Sequence, residues 1–140
     1  MARNLGIALR RTCGALLVAA GFPGLLEVAE AKRGAPAVVA AVRVGNIEYR
    51  APHLFRGEMF PGFVEAYDHA RGGPVWLRQI YVIRRDPSLK GDLQDVCITQ
   101  LKHPPDRDVL EVTHEAGSRF ELDLETLDVK TVAGKGLLGI

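Results

Sequence analysis

Histidine is the residue of this sequence with the most versatile chemistry, since a neutral imidazole binds metals and also acts as a general base near neutral pH. The chain has four histidines, His53, His69, His103 and His114. They form no HxH, HxxxH or HExxH group, which are the short motifs that indicate a metal site. Each lies at a predicted turn or strand end, where a solvated polar side chain is the common finding. The sequence therefore predicts no metal site and no cofactor.

Motifs for nucleophilic or phosphate chemistry are also missing from the sequence. Neither serine lies in a Gly-x-Ser-x-Gly elbow, and no phosphate-binding loop or CxxCH haem motif occurs. The acidic residues of segment 84–95 lack the Asp-x-Asp-x-Asp-Gly spacing of a calcium loop. These observations favour a non-catalytic protein. The alternative is a small extracytoplasmic metal-binding protein or hydrolase that uses His53, Glu58, Asp68 and His69.

The segment "APHLFRGEMFPGF", residues 51–63, mixes aromatic, apolar and charged side chains between two predicted strands. Interface cores of proteins are enriched in aromatic residues, Met and Arg. We therefore expect a contact surface for a protein partner in this segment, formed by His53, Phe55, Arg56, Glu58, Met59 and Phe60. The alternative is that the aromatic side chains only cover the open end of a barrel.

The elements that would position these residues are strands, because hydrophobicity after residue 38 follows a period of two and is interrupted by turn residues. "RFELDL" alternates strictly, so Phe120, Leu122 and Leu124 are expected to face a core. "VWLRQIYVI", residues 75–83, is apolar on both faces, which predicts a central strand. The fold class is thus mainly β, a small antiparallel meander arranged as a β-sandwich or open barrel of about six or seven strands. The one helical candidate in this part of the chain is a turn near "PSLKGDLQD".

The N-terminus has the pattern of a cleavable signal peptide. Arginines at positions 3, 10 and 11 precede the apolar stretch "GALLVAAGFPGLL", and Ala29 and Ala31 supply the small residues of a cleavage site. The stretch is too short to span a bilayer as a helix. We expect a signal peptide over 1–31, a lead-in over 32–37, one β domain over 38–133 and a tail over 134–140. The alternative is that residues 12–28 form the first helix of a cytosolic domain.

Cleavage after Ala31 would place the mature chain in the periplasm or outside the cell, with no stable membrane anchor. It would remove three of the 18 basic and two of the 17 acidic residues, which leaves equal numbers of each. Such a balance gives no electrostatic attraction to nucleic acid or to an anionic membrane. Cys13 would leave with the signal peptide, so Cys97 would form no internal disulfide. Cys97 lies in the predicted strand "DVCITQL", where a buried and unreactive thiol is expected.

The segment 64–76 holds Ala66-x-Asp68-x-x-Arg71-Gly72-x-x-x-Trp76. It resembles the Ala-x-Asp-x-x-Thr-Gly-Lys-x-x-Trp repeat of quinoprotein-type (PQQ) β-propellers, with arginine in place of threonine and Gly73 in place of lysine. The resemblance implies a local hairpin in which Asp68 accepts backbone N–H groups, Gly72 takes a positive φ and Trp76 packs in the core.

A poorer copy of the repeat lies over residues 117–131, where Asp123 and Thr126 keep the spacing but Leu127 replaces the glycine and Thr131 replaces the tryptophan. A closed propeller needs at least four blades of four strands, and the predicted strands suffice for fewer than two. The resemblance therefore implies hairpin architecture, and the quinone, metal and dehydrogenase activity of the large enzymes are not carried over.

Overall fold

The computed structural model describes residues 34–134, apart from the side chains of residues 92 and 93, within a compact unit that spans Ala31–Ile140. The predicted signal peptide, its helical alternative over 12–28 and nearly all of the predicted tail lie outside these residues. No helix among the described residues has the length and apolar character needed to cross a membrane.

The protein is mainly β, as the sequence predicts, and its described strands form two four-stranded antiparallel sheets and one small hairpin. The first sheet has the order β1-β2-β5-β6, and its strands are β1 (Val42–Val44), β2 (Ile47–Arg50), β5 (Phe63–Asp68) and β6 (Gly73–Gln79). The hairpin between β2 and β5 consists of β3 (Leu54–Phe55) and β4 (Glu58–Met59).

The second sheet is a meander of consecutive strands in the order β10-β9-β8-β7. Its strands are β7 (Ile98–Lys102), β8 (Val109–His114), β9 (Arg119–Asp123) and β10 (Val129–Ala133). A four-residue helical turn, α1 (Gly91–Gln94), lies in the connection between the two sheets. The described residues thus contain ten strands, more than the six or seven that the pattern suggests, and eight of them form two four-stranded units. Neither sheet closes into a barrel.

Strict alternation places the core in β8 and β9. Leu110 and Val112 of β8 and Phe120 and Leu122 of β9 are at most 1% exposed, while the residues between them are half-buried or exposed. Leu124 is half-buried against the same core, so the predicted inward face of "RFELDL" is confirmed. Each fully buried large apolar side chain of this kind contributes about 1.5–3 kcal/mol to folding.

Both sheets contribute to one hydrophobic cluster. Tyr49, Val64 and Ala66 of the first sheet belong to the same cluster as the buried residues of β8 and β9. Tyr81, which follows β6, stacks on Phe120 with 5.4 Å between ring centroids. Its hydroxyl donates to the carbonyl of Val96 just before β7 (2.7 Å), which ties the connecting segment to the second sheet.

The prediction that residues 75–83 form one central strand is wrong. β6 ends at Gln79 and lies at the edge of its sheet. The segment is apolar on both faces for two separate reasons. Val75 and Leu77 are exposed on the edge strand, whereas Ile80 and Tyr81 leave the sheet and enter the core.

The turns β5–β6 and β9–β10 share one geometry. Asp68 Oδ1 accepts the N–H groups of Ala70 (2.8 Å) and Arg71 (3.3 Å), and Gly72 follows with a φ of 70°. In the second turn Asp123 Oδ1 accepts the N–H groups of Glu125 (2.9 Å) and Thr126 (2.8 Å), followed by Leu127 with a φ of 61°. The two turns occupy the same place in the two sheets, between the third and fourth strands along the chain.

Candidate binding surface

The β3–β4 hairpin carries most of the residues that the sequence indicates for binding. Leu54 pairs with Met59 and Phe55 pairs with Glu58, so Arg56 and Gly57 form a two-residue turn. Their φ angles are 53° and 84°, the two positive values of a type I′ hairpin turn. Glycine adopts this conformation freely, whereas an arginine there carries a steric cost.

Aromatic side chains line one side of this hairpin. Phe60 stacks on Phe63 with 3.9 Å between centroids and also contacts the ring of Phe55 at 5.3 Å. The Arg56 guanidinium lies 5.3 Å from the centroid of the Phe55 ring, within cation–π range. Phe60 and Phe63 are half-buried, but Leu54 and Phe55 remain 59% and 47% exposed. We call Leu54, Phe55, Arg56, Met59, Phe60 and Phe63 the hairpin surface.

The other two predicted binding residues also belong to the hairpin or flank it. His53 is half-buried, and its carbonyl accepts the N–H of Phe60 (2.7 Å), which extends the hairpin by one backbone hydrogen bond. Glu58 is exposed on β4, opposite Phe55. Sequence reasoning did not single out Leu54, whose exposure depends on how the hairpin meets the sheet.

Two depressions flank the hairpin. A groove of about 550 Å³ lies between the extended segment 35–41 and β2, and His53 and Leu54 form part of its wall. A smaller one of about 230 Å³ is lined by Met59, Phe60 and Phe63 together with residues after β6, including the exposed Val82. The first falls within the range of roughly 300–1,000 Å³ common for ligand sites, and its walls are mostly apolar.

A polar network that sequence reasoning missed lies on the first sheet. Glu48 accepts a hydrogen bond from Arg50 Nε at 2.5 Å and contacts His69 Nε2 at 2.6 Å. The Arg50 guanidinium lies 4.3 Å from the Tyr67 ring centroid, and that ring meets His69 edge-on. The hydrogen bonds from Arg50 and then His69 hold the pKa of Glu48 below its usual value. Glu48 and Arg50 are neighbours on one face of β2, and the pairing of β2 with β5 brings Tyr67 and His69 to them, which local spacing does not reveal.

The residues of the hydrolase or metal-binding alternative have separate contacts in the structure. Asp68 Oδ1 is engaged in the β5–β6 turn, and the imidazole of His69 contacts Glu48. Glu58 is exposed on the hairpin, where the structure pairs its strand only with β3. Across the described part of the chain, no group of three or more His, Cys, Asp or Glu side chains is arranged to hold a metal ion.

Trp76 belongs to the edge strand β6. Its indole lies 5.8 Å from the ring of Tyr49, measured between ring centroids, and packs, half-buried, against the core.

Cys97 is buried directly before β7, and its backbone N–H donates to Glu115 Oε1 (2.9 Å).

His114 is a buried polar residue that the sequence did not single out from the other histidines. Its ring is 1% exposed and lies against Tyr81 and Phe120, with centroids 5.0 and 5.5 Å away. The N–H of Ala116 donates to Nδ1 (3.1 Å), which places the ring proton on Nε2. Nε2 has no hydrogen-bond partner among the described residues. Burial lowers the pKa of His114 from its ordinary value of 6.5, so the ring is kept neutral.

Comparison with known proteins yields no relative. No protein-family model, no curated protein and no solved structure matches the chain. The hairpin surface and its exposed side chains are therefore the features that bear on function.

Proposed function

We propose that this protein is an exported, non-catalytic β module that binds a protein partner through the hairpin surface. The observation that carries the proposal is the exposure of Leu54 and Phe55 on a hairpin that pairs with neither four-stranded sheet. Exposed aromatic and aliphatic side chains on such a projection are costly in water unless a partner covers them.

The composition of the hairpin surface supports a protein as the partner. Phe, Met and Arg are enriched in the cores of protein interfaces, and binding energy is concentrated in a few aromatic and arginine side chains. The Phe55–Phe60–Phe63 row and the two-residue turn restrict the side chains before binding. Less conformational entropy is then lost when the partner binds.

A matched pair of substitutions tests the hairpin surface. Phe55 on the hairpin and Val132 on β10 are both 47% exposed, so Phe55→Ser and Val132→Ser each remove an apolar side chain of the same exposed fraction, from two different surfaces. Partners captured from cell-envelope extracts would be identified, purified and titrated by calorimetry. We expect Phe55→Ser to weaken binding at least about tenfold and Val132→Ser to change it less than about twofold. Equal partner affinities of the wild type, Phe55→Ser and Val132→Ser would contradict the proposal.

Export is a separate part of the proposal, supported by the charged and apolar N-terminal pattern of the sequence. Its test is the intact mass of C-terminally tagged protein recovered from each cell fraction. The proposal predicts a periplasmic or extracellular species that begins at Lys32. A full-length species confined to the cytosol would contradict it.

We also infer that the two four-stranded sheets are the layers of one β-sandwich. The inference is supported by the single cluster of buried residues to which both sheets contribute.

A further inference from the structure

β6 is an open edge with an unusual composition. It is the longest described strand, and no described strand pairs with the side that faces away from β5. Val75 and Leu77 are 50% and 43% exposed on it. Proteins usually block such edges with charged residues, proline or a bulge, because an apolar edge pairs readily with another chain. In β6 the proline and the bulge, at Pro74 and Val75, affect only its beginning.

The backbone groups available at this edge follow from one hydrogen bond. The N–H of Ile80 donates to the carbonyl of Gly62 (2.7 Å), so at Ile80 the backbone groups point toward the β5 side. Successive residues of an antiparallel strand direct their N–H and C=O groups to opposite sides. Leu77 and Gln79 therefore present theirs to the open edge.

We propose that β6 pairs antiparallel with β6 of a second copy of this chain, about a two-fold axis at Leu77. Leu77 then faces Leu77 of the second copy as a hydrogen-bonded pair, and Gln79 faces Val75 of the second copy. Trp76 faces Arg78 of the second copy in a non-hydrogen-bonded pair, where opposing side chains are closer. The two first sheets become one sheet of eight strands.

Side-chain complementarity selects this register. Arg78 is exposed and makes no ion pair with any described residue, and Trp76 is half-buried at the same edge. A guanidinium over an indole is a favourable cation–π contact, and the two-fold axis forms it twice. A register centred on Arg78 would instead place two guanidinium groups opposite each other, which is unfavourable.

The other described edges are less suited to self-pairing. β1 has three residues, and bulges interrupt the registers of β7 and β10 with their neighbours. Lys102 also places an ammonium group on β7, and Lys130 places one on β10.

A single strand pair buries less than the roughly 1,200 Å² of a standard interface, so the expected dimer is weak, with a micromolar dissociation constant.

Sedimentation velocity of the purified full chain, from about 5 to about 300 µM, tests this weak self-association. We expect a reversible monomer–dimer equilibrium. Leu77→Lys places two ammonium groups at the axis and should raise the dissociation constant at least about tenfold. The control Val132→Lys introduces the same charge at a similarly exposed position on β10 and should leave it within about twofold. Arg78→Ala, a milder second variant, should raise it about threefold by removing the cation–π contacts.

Trp76 is the only tryptophan of the chain and gives an independent signal. Its quenching by acrylamide should decrease as wild-type protein is concentrated and stay constant in Leu77→Lys. A wild-type protein that remains monomeric throughout the range would overturn the proposal. So would dimers that are equally stable in wild type, Leu77→Lys and Arg78→Ala, or dimers weakened by Val132→Lys as much as by Leu77→Lys.

Discussion

His114 shows how one buried residue couples the stability of this protein to pH. The folded state keeps the ring neutral because burial between aromatic rings lowers the pKa of His114 from 6.5. The unfolded chain keeps the ordinary pKa, so below pH 6.5 it binds a proton that the folded chain does not. The free energy of unfolding is therefore not reduced by His114 above this pH, and it decreases as the pH falls toward the lowered pKa of the folded state.

Replacing His114 with Phe removes this titration. The variant loses the acceptor of the Ala116 N–H and is expected to be less stable than wild type by about 1–3 kcal/mol at neutral pH. Between pH 6.5 and about pH 5 its free energy of unfolding should decrease less than that of wild type. Urea unfolding at a series of pH values measures both quantities. Equal pH slopes for the two proteins would show that His114 does not titrate as described.

Asp123 also couples stability to pH, but through a carboxylate that is charged in the folded state. The N–H groups of Thr126 and Glu125 donate to its carboxylate and hold its pKa below the usual value. A carboxylate with a lowered pKa stabilises the fold above its unfolded pKa, and this contribution is lost as the pH falls through the folded value. Asp123→Asn keeps an oxygen acceptor but no charge, so we expect a lower unfolding temperature than wild type at neutral pH. In thermal scans the difference should disappear in acid, and a difference independent of pH would contradict this account.

The hairpin is the element at which stability and binding can be separated. Arg56 occupies the first position of the type I′ turn with a positive φ, which asparagine adopts at less cost. Arg56→Asn should raise the free energy of unfolding by up to about 1 kcal/mol and also remove the guanidinium from the Phe55 ring. Partner affinity should therefore fall while stability rises, as measured by calorimetry and urea unfolding. A fall in both would indicate that Arg56 has a structural role in the hairpin.

The elements also show how far the sequence could predict this fold. Alternation in "RFELDL" identified the buried face of β9, because this strand exposes one side only. The two-residue strands β3 and β4 are too short to show a period, so the sequence predicts a loop there. The edge position of β6 and the contact of Glu48 with His69 depend on the pairing of β2, β5 and β6, which spacing along the chain does not reveal.

At the scale of the whole molecule, Tyr81 connects the two halves of the described fold. Its ring stacks on Phe120 of the second sheet, and it also lies against Gly62 at the start of β5, where an added Cβ would come within 2.9 Å of the Tyr81 carbonyl oxygen. Tyr81→Ala should cost about 3–5 kcal/mol, and Tyr81→Phe about 1 kcal/mol for the hydrogen bond to Val96. Denaturant unfolding followed by circular dichroism measures both costs. Losses of similar size in the two variants would argue against a central packing role for this ring.

If both sheets share one core, they should also unfold together. Trp76 fluorescence follows the first sheet and circular dichroism follows both, so the two signals should give coincident transitions in urea. A tryptophan transition at a clearly different urea concentration would indicate two independently stable sheets.

Photo-crosslinking in living cells tests partner binding by the hairpin surface most directly. A photoreactive phenylalanine analogue would replace Phe55 in one strain and Val132, which is equally exposed, in another. We expect a discrete adduct of defined mass from position 55, weakened by the additional substitution Leu54→Ser and absent from position 132. No adduct from position 55, or the same adduct from both positions, would contradict it.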